Sequence, residues 1–213
     1  MWLKCLETDG VSECGFDYGN MSRKEIHDEK LVEQLAWHYK EILKLIGEDP
    51  GREGLKKTPI RAAKALIDIT AGYQLDPVNI LQKAIFSHSG SQMVIVRDIE
   101  FYSVCEHHIL PFFGTVSIGY LPDGKIVGLS KIARVANAFA RRLQVQERLT
   151  EQICDTISKA FPNKGVIVKC TAQHLCMKMR GVESQNASTV TFASSGKFSE
   201  SPDLRREFLE LIS

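Results

Sequence analysis

Residues 93–105 read MVIVRDIEFYSVC. β-Branched and aromatic residues crowd this stretch and partly alternate with polar ones, which is the period of a half-buried strand and not of a helix. A second such run, FGTVSIGYL at 113–121, follows at once and leads into the turn residues LPDGK at 121–125. The period then lengthens. GLSKIARVANAFARRL (128–143) spaces Ile132, Val135, Ala136, Phe139, Ala140 and Leu143 for one helical face, and ERLTEQICDTISKAF (147–161) does so with Leu149, Ile153, Ile157 and Ala160. GVIVKCTAQHLC (165–176) and STVTFAS (188–194) return to strand. Two pairs of strands separated by a pair of helices predict an α+β architecture with an antiparallel sheet, not alternating βαβ units.

Upstream, the chain reads as helical. Leu31, Leu35, His38, Ile42 and Leu45 form a stripe ending at Gly47; Thr58 is the expected N-cap of a helix with Pro59 at its first position and Gly72 at its exit; Asp76 and Pro77 repeat the device. The expected organisation is a flexible extension or added leader over 1–20, with Met21 as the natural start, an N-terminal helical region over 21–90, and a catalytic domain over 91–213.

The 213 residues carry 27 basic and 26 acidic side chains, a net charge of +1. That balance argues against bulk-charge binding of nucleic acid. No apolar run has membrane-spanning length and the start lacks a secretory apolar stretch, so the expected location is cytoplasmic, with no membrane partner. In that compartment six cysteines are thiols or metal ligands before they are disulfides.

Directly after the first strand comes CEHH, residues 105–108. Cys105 and His108 are three apart and can reach one ion across a turn. Alternation along 166–176 puts Val166, Val168, Cys170, Ala172, His174 and Cys176 on one face, apolar until its end. Cys170 reads as a core thiol, whereas Cys105, His107, His108, His174 and Cys176 cluster too tightly for packing alone. Cys105, His108 and Cys176 make three zinc ligands, leaving a coordination position for water and two spare histidines, a layout for hydrolysis. Adjacent residues of an extended segment point opposite ways, so His107 and His108 are not expected to share the ion without a turn.

In GLSKIAR, Ser130 stands at a helix N-cap with Lys131 and Arg134 one turn apart. Cations oppose the helix dipole there and make better sense with a phosphate between them. Arg180 brings another cation toward Cys176. Glu147 suits the first turn of its helix, and a carboxylate can also accept both hydrogen bonds of guanine's N1–H and N2–H2 edge; the spacing leaves both readings open.

SVCEHHILPFFG (103–114), GLSKIARVANAFARRLQVQERLTEQI (128–153), HLCMKMRGV (174–182) and RREFL (205–209), with KTPIRAAKAL (57–66) before them, closely resemble the GTP cyclohydrolase I family from about residue 25 onward. The resemblance implies a zinc enzyme that converts GTP and water to 7,8-dihydroneopterin triphosphate and formate, the first step of tetrahydrofolate and tetrahydropterin biosynthesis. It implies the tunnelling fold (T-fold), with a barrel completed by oligomerisation, usually a homodecamer with active sites between subunits. It also implies Cys105, His108 and Cys176 as ligands of one Zn2+ per subunit, and His107, His174 and Ser130 as proton-moving residues. Lys131, Arg134, Arg180 and Arg61 fall around the triphosphate and ribose, and Gln146 and Glu147 in the guanine-recognition segment.

Overall fold

A computed structural model describes residues 27–213. The expectations for residues 1–20 and for Met21 as a start lie outside the described residues. The first third is helical as expected: α1 (Glu29–Leu45), α2 (Thr58–Ile69), a 3-10 turn (Ala71–Gln74) and α3 (Pro77–Gln82). Asp28 starts α1 by accepting from the Leu31 amide at 3.0 Å, and Gly47, at φ 89°, ends it. Asp76 caps α3 through the amides of Val78 and Asn79. Two details differ from the sequence reading. Helix α2 already includes Thr58, whose hydroxyl donates to Gly54 O and caps nothing. The buried face of α1 is Val32 and Ala36, not the Leu31–Ile42–Leu45 stripe, because α1 packs chiefly on α2; Leu45 is 85% exposed.

The remainder is β1 (Ile85–Ser87), β2 (Val94–Cys105), β3 (Pro111–Pro122), β4 (Lys125–Val127), α4 (Leu129–Ala140), β5 (Leu143–Gln144), α5 (Gln146–Ala160) and β6 (Asn163–His174), followed by the single turn α6 (Leu175–Lys178), β7 (Thr189–Ser194), α7 (Lys197–Glu200) and α8 (Pro202–Leu211). Strands β2, β3, β6 and β7 pair antiparallel in that order, and the short β5 joins the outer edge of β2 in parallel. β1 and β4 form a separate antiparallel pair that ties the helical region to the rest. The α+β expectation holds.

Helices α4 and α5 cover one face of the sheet. Ile132, Val135, Phe139, Leu149, Ile153 and Ile157 pack there against Phe101, Phe112, Val116, Ile118, Val166 and Val168. Burying such side chains contributes about 1.5–3 kcal/mol each. On the opposite face α7 and α8 cover one end only, where Phe198 and Phe208 meet Leu121 and Ile167. Elsewhere that face leaves Tyr102, Val190 and Phe192 exposed.

Strand β2 contains a bulge. Val96 pairs with Ile118 but Ile99 with Val116, so β2 spends one residue more than β3 over that interval. Asp98 absorbs the turn at φ 56°, a conformation aspartate tolerates better than most residues, and its amide donates to Ser117 Oγ at 3.3 Å. The side chains facing the helices are Val94 and Val96 before the bulge and Ile99, Phe101 and Cys105 after it. The bulge absorbs the extra residue, so both halves of the strand, Cys105 included, keep the covered face.

The helical region is also latched to α4. The Arg142 guanidinium donates to Gly72 O (3.0 Å), Ala138 O (3.2 Å) and Leu75 O (3.4 Å), and the Gly72 amide donates to Arg141 O at 2.9 Å. A Cβ on residue 72 would lie 2.1 Å from Ala138 O, so only glycine fits this approach.

Candidate metal centre and active site

Cys105 is the last residue of β2, where the chain reverses. Its carbonyl accepts from the amides of Ile109 (2.8 Å) and His108 (3.4 Å), and its own amide donates to Leu110 O (2.9 Å). The reversal puts Ile109 at φ 54° while leaving it 61% exposed. A β-branched residue in that region costs about 1–3 kcal/mol of backbone strain. The turn also answers the question of the adjacent histidines. Both rings come back toward the same sulfur, with Nδ1 of His107 at 4.0 Å and of His108 at 3.9 Å from Cys105 Sγ.

Cys176 arrives from the other side. The alternation of β6 holds for Val166, Val168, Cys170 and Ala172, but the strand stops at His174, and Cys176 sits in the helical turn α6. That turn carries its sulfur to Cys105 and His108, whose ligand atoms all lie within 4.8 Å of one another. Burial pushes the Cys176 thiol up, the adjacent Cys105 sulfur adds to that, and the Arg180 charge opposes both. Two sulfurs and one imidazole this close together fit a divalent ion that takes thiolate and imidazole ligands, as zinc does.

His174 has a different setting. Its ring stacks on Phe112 at 4.7 Å and 2°, and its Nε2 lies 2.9 Å from Gln146 Oε1. Burial lowers its pKa, partly offset by the nearby Glu147 carboxylate. Gln146 is 1% exposed, whereas Glu147, beside it at the start of α5, is exposed. A cavity of about 220 Å3 joins these groups: Cys105, His107, His108, Gln146, Glu147, His174 and Cys176 all line it.

The structure does not bring every expected residue to this cavity. Ser130, Lys131, Arg134 and Arg61 are absent from its lining, and Arg180 reaches it only through its charge on Cys176. Ser130 is inside the first turn of α4, whose N-cap is Gly128, not Ser130. Arg61 donates to Gly54 O at 3.4 Å.

Several residues went unmarked in the sequence reading. Gln144, Met177 and Thr189 also line the cavity. Arg148 grips Glu106 with two hydrogen bonds (2.5 and 2.9 Å), joining the turn after β2 to α5, and that grip holds the Glu106 carboxyl below its usual range. No local spacing announces a pair 42 positions apart.

The chain is similar to known proteins along most of its length. A family model described as GTP cyclohydrolase I matches residues 35–213. A GTP cyclohydrolase 1 of Chlorobium chlorochromatii is 52% identical over 202 residues, spanning 94% of this chain and 91% of the relative. One of Porphyromonas gingivalis is 55% identical over 188 residues, 88% of this chain and 97% of the relative. One of Campylobacter curvus is 53% identical over 173 residues, 81% and 91% respectively.

Proposed function

This chain belongs to the GTP cyclohydrolase I family of enzymes, and from that premise we propose that it converts GTP and water to 7,8-dihydroneopterin triphosphate and formate, opening tetrahydrofolate or tetrahydropterin biosynthesis. The observation that carries the proposal is the meeting of Cys105, His108 and Cys176 in the same cavity as His107, His174 and Glu147. A zinc ion held by the three ligands would supply Lewis acidity that brings the pKa of a water toward neutrality.

The chain's own groups do the rest. Glu147 accepts from N1–H and N2–H2 of guanine within the segment it shares with Gln146. His107, exposed on the turn, delivers a proton to the imidazole nitrogen of the base as water adds to C8. Ring opening and hydrolysis of the formamide release formate. The ribose then opens, rearranges and closes onto the freed amine with loss of water, while His174 and Ser130 move protons. The triphosphate stays intact as a handle for Lys131, Arg134 and Arg180, with Arg61 at the periphery, so that its binding orients successive intermediates.

Two observations support a multi-subunit site. The cavity of about 220 Å3 is below the roughly 300–1,000 Å3 that encloses a drug-sized ligand, and the cations of α4 do not line it. A second copy supplying Ser130, Lys131 and Arg134 completes it, in keeping with a T-fold homodecamer whose barrel is closed by neighbours across the exposed Tyr102, Val190 and Phe192. We place the T-fold domain at 91–213, after a helical region at 21–90. No helix among the described residues is long and apolar enough to cross a membrane, and we assign the enzyme to the cytoplasm.

The deciding assay incubates zinc-loaded protein with GTP and measures formate and pterin together, beside a chelated sample. Equal amounts of both, lost on chelation, are expected. Formate without pterin would move the fault to His174 and Ser130, and neither product despite bound zinc and GTP would reduce the protein to a zinc-stabilised nucleotide binder.

A further inference from the structure

Gln146 spends its side chain inside the protein. Its Nε2 lies 3.1 Å from Cys170 O, 3.0 Å from Thr189 O and 3.1 Å from Thr191 Oγ1. The two carbonyls can only accept, so the edge of the amide facing them is the NH2 group; the opposite orientation would press Oε1 against two carbonyl oxygens. A chain of hydroxyls agrees. Thr150 Oγ1 donates to Gln146 O at 2.8 Å and lies 2.6 Å from Thr191 Oγ1. With the Thr150 proton committed, Thr191 donates to Thr150 and keeps a lone pair for the Gln146 amide.

The consequence lies at the other end of the amide. Gln146 Oε1 is left as a pure acceptor 2.9 Å from His174 Nε2. A neutral imidazole that donates from Nε2 has its lone pair on Nδ1. The face-to-face stack on Phe112 fixes the ring plane in which that bond is made.

We infer that Gln146 is a positioning residue: it fixes His174 in the Nε2–H tautomer and thereby makes Nδ1 the proton-accepting atom. This rests on the reading above that His174 moves protons. It also assigns the side chain of Gln146 a task that guanine recognition does not require.

Neutron diffraction of the zinc-loaded full chain at mildly alkaline pH reads the tautomer without any mutation. Deuterium on Nε2 of His174 with Nδ1 bare is expected, and a deuteron on Nδ1, alone or beside one on Nε2, overturns the inference. Kinetics provide the second reading. Gln146→Met, close in size but unable to accept, should lower kcat about 10- to 100-fold while zinc content and the KM for GTP hold within about twofold. A raised KM at unchanged kcat would make Gln146 a base contact and overturn the positioning role. His174→Ala, run beside it, keeps the two ideas apart. Wild-type turnover by His174→Ala removes the proton-moving reading and leaves the tautomer to the neutron map. Loss of turnover in His174→Ala with wild-type kcat in Gln146→Met removes the positioning role alone.

Discussion

The two walls of the cavity are built in opposite ways. One is the reversal after β2, with His107 and His108 exposed, Ile109 strained and Glu106 tethered by a half-exposed ion pair to Arg148. The other is the end of β6, where His174 is stacked on the fully buried Phe112 and bonded to the buried Gln146. The first wall brings Cys105 and His108 to the candidate metal site, to which the turn after β6 adds Cys176; on the second wall His174 itself is held by protein alone. The difference teaches where each wall draws its order, and it can be broken experimentally.

Removing the metal tests it hardest. Chelation should abolish turnover and sharply raise amide exchange over 106–109, while the β6 amides near 172–174 keep their protection. Equal loosening of both would erase the distinction. Next comes His174→Ala, which should keep zinc and GTP binding and lose about 10²- to 10⁴-fold in kcat; unchanged kcat would mean that the finished wall is scaffold.

The thiols give a third contrast. Burial pushes Cys154 to about 11 and Cys170 to about 12, from an ordinary value near 9. The folded state keeps protons that the unfolded chain loses, so stability should fall as pH rises above 9, by about 1.4 kcal/mol per proton for each pH unit. Denaturant melts from pH 8 to 11 with no decline would contradict the dryness of that face. Relieving the strained turn by Ile109→Asn should raise stability by about 1 kcal/mol in the same melts; a loss would show that position 109 is not strained. Smallest is Arg148→Met. An exposed ion pair contributes little to stability, so melting should barely move, and a large drop would mean that the turn depends on that tether.

Much of this was legible because period and residue type are local. The faces of α4 and α5 followed from their spacing, and the chemistry of Cys105, His108 and Cys176 required only thiol and imidazole near one another. The misses share a cause. Ser130 lost its cap and α1 its stripe because neighbouring chain decided which turn began first and which face found a partner. Spacing alone does not show that Gln146 is buried; its burial depends on Cys170, Thr189 and Thr191, which lie 24 to 45 positions away. The pair Glu106–Arg148 left no trace for the same reason.

The extra residue at Arg97–Asp98 has a consequence for how this chain tolerates change. Even-numbered positions face the helices before it, odd-numbered ones after it. Deleting Arg97 or Asp98 would straighten the strand without exchanging its faces: Val96 and Ile99 would stand two positions apart, both still toward the helices, and Cys105 would stay with them. A deletion after the bulge that left the bulge in place would instead turn the Cys105 thiol away from Cys176 and His108. The candidate metal centre is thus addressed by counting along β2, as a reading frame is, and the bulge holds the residue that the count can spare.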